Sequence, residues 1–156
     1  MIFRIKFLEI YIKYYKGNMM FNLSKRSKVQ KLILAVALLE IFIGLSHLTH
    51  AYYVKLTWEY DEFVYDWDDV GGNDGVFWTL WGLLTLLFSF AEVSKIKIAT
   101  SFVLLIPAFW GALIMLSLVT ALLKEFDFSI FTPFVLLHGI LFFVSLPTLT
   151  FLWKSS

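Results

Sequence analysis

The sequence predicts an all-α integral membrane protein, a four-transmembrane-helix bundle with both termini cytoplasmic. Three observations predict it. Apolar residues make up 60% of the 156 residues and charged ones only 16%, against roughly 45–50% and about 25% in ordinary soluble domains. A chain this small has a large surface for its volume and, in water, needs polar residues to cover it. Lipid removes that need. The apolar residues also gather into four long runs, and the charges between the runs are sorted by sign. Cys is absent, which excludes disulfides, thiolate metal sites and thioether-linked haem.

Residues 1–30 form a basic segment ahead of a membrane domain over 31–154. Within 1–18 (MIFRIKFLEIYIKYYKGN), Lys6, Glu9, Lys13 and Lys16 recur at helical spacing with apolar residues between them. That is the pattern of an amphipathic helix lying in the membrane interface. The competing reading is a misassigned start, with translation beginning at Met19 or Met20. The segment KRSKVQK before an apolar run also resembles the front of a signal peptide. The run is longer than a hydrophobic core of about 7–15 residues and carries Glu40 and two His, so it is expected to stay as the first span.

The four runs cover residues 32–54, 76–93, 98–123 and 130–153. A bilayer core about 30 Å thick takes about 20 helical residues, with about 17–25 tolerated. Backbone groups in lipid must bond within their own segment, so each run is expected to be a helix. The alternating segments of a transmembrane β-barrel do not occur.

Orientation follows from the bases. Arg4, Lys6, Lys13, Lys16, Lys25, Arg26, Lys28 and Lys31 precede the first run, Lys95 and Lys97 join the second to the third, and Lys154 follows the fourth. Cytoplasmic termini leave only Lys55 and Lys124 outside, which satisfies the positive-inside bias. The acids collect on the other side: Glu59, Asp61, Glu62, Asp66, Asp68, Asp69, Asp74, Glu125 and Asp127. Tyr52, Tyr53, Trp78 and Trp81 are expected at the outer interface and Trp153 at the inner one, as an aromatic belt.

The polar residues inside the runs point to chemistry. Glu40 falls near the middle of the first run, where a charged residue costs about 2.5–3.5 kcal/mol even on mild insertion scales. Helical spacing puts Ala37, Glu40, Gly44, His47 and Ala51 on one stripe and Leu34, Leu38, Ile41, Leu45 and Leu48 on the opposite one. The small-and-polar stripe is expected to face other helices and the Leu-rich stripe to face lipid. Glu40 is then either a neutral packing residue or a proton or cation site. His47 lies about 6 Å outward of its segment's midpoint, and His138 of the fourth run about 5 Å outward of its own. At matching depth the two imidazoles can hydrogen-bond other helices, relay a proton, or ligate a metal or haem. His50 sits one turn further out.

Pro107 in the third run predicts a kink, beside the small residues Ala108, Gly111 and Ala112, of which Ala108 and Ala112 form a small-xxx-small pair suited to close helix contact. Pro133 stands near a helix start, where it costs little, and Pro147 is expected to bend the inner third of the fourth segment. The outer loop, 56–75, holds DWDDVGGNDG, with Asp66, Asp68 and Gly71 at positions 1, 3 and 6 of an EF-hand loop. Val70 stands at position 5 and Phe77 where the bidentate Glu belongs, so the EF-hand reading fails. A weak divalent-cation site from Asp66, Asp68 and Asp69 is the chemistry left to that loop. Its alternation over 58–67 also suits a short hairpin strand.

Nucleotide-binding, nucleophile-elbow, zinc-protease and nucleic-acid motifs are absent. Ser46 beside His47 is not a triad without a carboxylate and oxyanion donors. The expected function is therefore non-enzymatic: a small accessory or interaction protein of a bacterial-type cytoplasmic membrane. Its partners would be lipid and a membrane protein or a second copy of itself, with no nucleic acid. The alternative is a redox or proton-handling subunit using Glu40, His47 and His138, with haem b or quinone. A small oligomeric transporter or channel is the third class.

Overall fold

A computed structural model describes residues 26–58, 71–93, 95–122 and 132–154. They form four helices: α1 Lys28–Trp58, α2 Gly72–Phe90, α3 Lys97–Leu122 and α4 Thr132–Lys154. Stretches of α1, α3 and α4 (Lys28–Val54, Lys97–Thr120 and Pro133–Lys154) are long and apolar enough to cross a membrane. α2 differs because it opens on Gly72, Asn73, Asp74 and Gly75. That leaves 76–90 as its apolar part, short of the span minimum of about 17 residues. The second apolar run is thus displaced from the helix that contains it. The helix starts four residues before residue 76 and ends at Phe90, so Glu92 stands in the turn that follows, paired with Lys95 at 2.6 Å.

α1 begins ahead of its apolar run because Ser27 and Gln30 cap it reciprocally. The Gln30 amide donates to Ser27 Oγ (3.2 Å) and the Ser27 amide to Gln30 Oε1 (3.0 Å). This S-x-x-Q capping box satisfies two of the first-turn N–H groups. α2 starts from Gly71, whose φ of 79° is left-handed, a conformation that favours glycine.

α1 packs most extensively on α2 and α3 on α4, while α1 and α4 join the two pairs. The pairs run antiparallel. At one end Gln30 Nε2 donates to the Ala91 carbonyl (3.0 Å), and Arg26 reaches Ser89 and the Phe90 ring. Further along, α1 and α2 approach through glycines. A Cβ on Gly82 would lie 2.7 Å from Ile41 N, one on Gly75 2.8 Å from Leu48 N, and one on Gly44 would overlap Thr79. α3 meets α4 at Gly111, whose Cβ would lie 2.9 Å from the His138 carbonyl. At the basic end, Trp153 Nε1 donates to Ser101 Oγ (3.1 Å) and Lys97 Nζ lies 4.5 Å from the Trp153 ring centre.

Two expectations need correction. Ile41 and Leu48 do not belong to a lipid stripe, because the α2 glycines Gly82 and Gly75 receive them. α1 contacts α2 on one flank and α4 on the other, so its inward arc is wider than a single stripe. Leu38 and Leu45 remain exposed. Trp78 and Trp81 are not belt residues either. Trp78 is fully buried beside His138, and the Trp81 indole donates to the Val103 carbonyl (3.1 Å). Tyr52, Tyr53 and Trp153 are exposed.

Polar side chains are buried inside while large apolar ones cover the exterior. Glu40, Thr85, Ser89, Thr100, His138, Ser145 and Thr148 are buried, while Leu80, Phe102, Phe109, Leu116, Leu136 and Phe143 point outward. An aqueous protein sorts residues the other way. Hydroxyl groups inside are mostly satisfied by carbonyls three or four residues earlier: Thr100 by Ile96, Thr148 by Val144, Ser89 by Leu86. That is how polar side chains are carried in lipid.

Candidate functional site

The sequence places Glu40 and His47 two turns apart on α1, and the contact with α2 and α4 turns that face inward. Ala37, Glu40 and Ala51 are fully buried, Gly44 is buried and His47 half-buried. α4 brings His138 to the same level: the His47 and His138 ring centres are 5.8 Å apart, tilted by 47°. Phe134, one turn before His138, stacks on His47 at 4.3 Å, and Trp78 of α2 lies 5.2 Å from His138. Gly71 completes the wall. A Cβ there would sit 3.1 Å from His47 Nδ1, close enough that the imidazole would have to give way by a few tenths of an ångström. His50 is exposed and meets Phe134 edge-on at 5.5 Å.

A second layer lies seven residues along each of the same three helices: Glu40 on α1, Thr85 on α2 and Ser145 on α4. Seven residues are two helical turns, about 10 Å along the axis. All three of these residues have no exposed surface. The antiparallel register that sets His47 against His138 sets Glu40 at the level of Ser145. Thr85 lies beside the Glu40 carboxyl without meeting hydrogen-bond geometry, and donates its proton to the Trp81 carbonyl instead (3.1 Å). A hydroxyl has one proton to give. While that bond holds, Thr85 offers Glu40 its lone pairs rather than its proton.

The two layers share a defect in bonding. Both Glu40 oxygens, His47 Nε2, His138 Nδ1 and Ser145 Oγ are buried with no hydrogen-bond partner. Buried polar groups are normally satisfied, and each exception asks for an explanation. Leaving one orphaned costs about 1–3 kcal/mol. Chemically the set holds one carboxyl and two imidazoles, groups that bind and release protons. Among the described residues no group of three or more His, Asp or Glu side chains gathers as metal ligands. Asp66, Asp68 and Asp69 lie outside the described residues, as do 1–18 and the loop beyond Trp58.

Trp78, Thr85, Phe134, Ser145 and Gly71 were not among the site residues read from sequence. The signal for three of them was present: Trp78–Thr85 and His138–Ser145 repeat the seven-residue spacing of Glu40 and His47. Compared with known proteins, the chain matches no family model, no curated protein and no solved structure.

Proposed function

We propose that this chain is a four-span protein of a bacterial-type cytoplasmic membrane, with both termini on the cytoplasmic face, and that it takes up protons at Glu40, His47 and His138. The fourth span is supported by the way α2 runs antiparallel along α1, from Gly75 against Leu48 to Ser89 against Arg26. If α1 crosses the bilayer, α2 runs beside it through most of that depth. The orientation is supported by Arg26, Lys28, Lys31, Lys95, Lys97 and Lys154, which share one end of the helices, as the positive-inside bias requires. Fusions of a sided reporter after Ser94 and at Ser156 should read cytoplasm, and one within 66–74 should read outside. An outside reading at Ser156 would overturn the topology.

The observation that carries the functional reading is the Glu40 carboxyl, fully buried with neither oxygen partnered. A carboxyl kept for packing would use its oxygens on donors from neighbouring helices. Ionisable groups at such depth mark proton or ion pathways by default. The accessory-protein reading rests only on missing motifs and does not account for these orphaned atoms. Infrared titration of the reconstituted protein should show a protonated-carboxyl band that changes with pH and vanishes in Glu40→Gln. A spectrum in which no pH-dependent band is lost in that variant would sink the proposal.

A further inference from the structure

We infer that Glu40 exchanges its proton with the acidic, outer face through the His47–His138 layer, and is sealed from the basic face. This rests on the proton-uptake reading above and adds its direction. Among the described residues, the buried side-chain polar atoms without a partner all lie at Glu40 or outward of it: His47 Nε2 and His138 Nδ1 in the outer layer, Glu40 and Ser145 in the inner one. Between the layers stand Ile43 and Leu141, a single apolar step. On the other side of Glu40 the packing is different. Val36, Ile33 and Val29 of α1 and Leu152 of α4 fill the interior to the helix ends, and all are buried. The hydroxyls there, Thr148, Ser89 and Thr100, each donate to a carbonyl three or four residues earlier, and Ser89 also accepts from Arg26. Protons move along chains of groups that can both give and accept, and hydroxyls locked in this way beside an apolar plug make a poor chain.

The titratable groups around Glu40 agree with this direction. α1 offers His47 and α4 offers His138, both outward of it. α2 contributes Asp74, in its first turn near Gly71, also outward. α3 carries no titratable residue in its described length except Lys97, at the basic end. Nothing ionisable on the four helices lies in the interior between Glu40 and the cytoplasmic ends, where Lys28, Lys31 and Lys154 are exposed.

The test uses the full chain in vesicles of uniform orientation, with impermeant buffers setting the two faces independently. A lipid-soluble carbodiimide reaches buried acids from the bilayer and reacts with the protonated carboxyl, so the labelling rate of Glu40, read by mass spectrometry, reports its protonation. The rate should rise several-fold when the outer face is acidified and stay unchanged when the inner face is. Replacing both imidazoles, His47→Leu with His138→Leu, should slow the response to outer pH while leaving the final extent of labelling intact. Should that pair fail to fold, His138→Gln alone gives the same readout. Labelling governed by inner pH would overturn the inferred route and leave proton uptake standing. Labelling that ignores pH on both faces would overturn both.

Discussion

The Trp81 indole donates to the Val103 carbonyl at 3.1 Å, four residues before Pro107. Proline has no N–H, so the carbonyl four residues earlier loses its helical donor. In lipid no water replaces it. α2 therefore supplies from outside the hydrogen bond that α3 cannot make, and α3 runs on as one helix through Pro107.

Trp81→Phe should consequently destabilise the protein by about 0.6 kcal/mol, the mean for interhelical bonds in membranes, and by no more than about 1.7. In a Pro107→Ala background the new amide can bond the Val103 carbonyl, and the cost of Trp81→Phe should fall toward zero. Unfolding of the four proteins in detergent completes a double-mutant cycle. An equal cost in both backgrounds would show that the indole contributes by packing alone.

Much of this was legible in the sequence, for identifiable reasons. The four helices follow from run length, because a bilayer imposes a length that soluble folds do not. The inward stripe of Glu40 and His47 follows from periodicity, and the matching depth of His138 from counting residues along two antiparallel segments. What could not be read was which neighbour each face meets. Ile41 and Leu48 look like lipid-facing residues until Gly82 and Gly75 of α2 are set opposite them. Trp78 and Trp81 look like belt residues because hydropathy places them near one end of an apolar run. Their burial depends on a carbonyl freed by a proline on α3 and an imidazole on α4, neither of which is encoded locally.

The glycine contacts give a contrasting pair of substitutions. At Gly82 a methyl would meet Ile41 N at 2.7 Å and the Ala37 carbonyl at 3.0 Å. These are backbone atoms of a packed helix and cannot swing aside, so Gly82→Ala should cost in the range of about 1–3 kcal/mol. At Gly139 the nearest atom is Met115 Sδ at 3.0 Å, part of a flexible side chain that re-packs readily. The helix-propensity gain of up to about 1 kcal/mol should then make Gly139→Ala neutral or slightly stabilising. Thermal midpoints in one detergent decide it, and equal losses at both sites would contradict the α1–α2 contact.

Gly71 sets the place of His47 in two separable ways. Its left-handed φ of 79° penalises any side chain, and its missing Cβ, which would lie 3.1 Å from His47 Nδ1, leaves room for the imidazole. Gly71→Ala should pay both penalties, with the conformational one alone about 1–2 kcal/mol. Asn tolerates the left-handed region, so Gly71→Asn should recover part of the stability while still displacing the ring. The His47 imidazole resonance, followed by NMR, should shift in both variants. If it stays in place in Gly71→Asn, the glycine serves the helix start and not the histidine.

Glu40 can be tested by asking whether stability and proton uptake separate. The carboxyl has no hydrogen bond to lose, and Thr85 presents only lone pairs to it. The Gln amide can donate to those lone pairs, so Glu40→Gln should match the parent to within about 0.6 kcal/mol. Glu40→Leu goes further. It removes a buried polar group whose desolvation is uncompensated, a change that is nearly neutral or stabilising when shape is kept. Both variants should therefore fold as well as the parent or better, and both should lose the pH-dependent carboxyl band. A residue that costs stability where an apolar one would not is retained for what it binds. Loss of several kcal/mol in both variants would instead make Glu40 a structural residue whose partner lies beyond the four described helices.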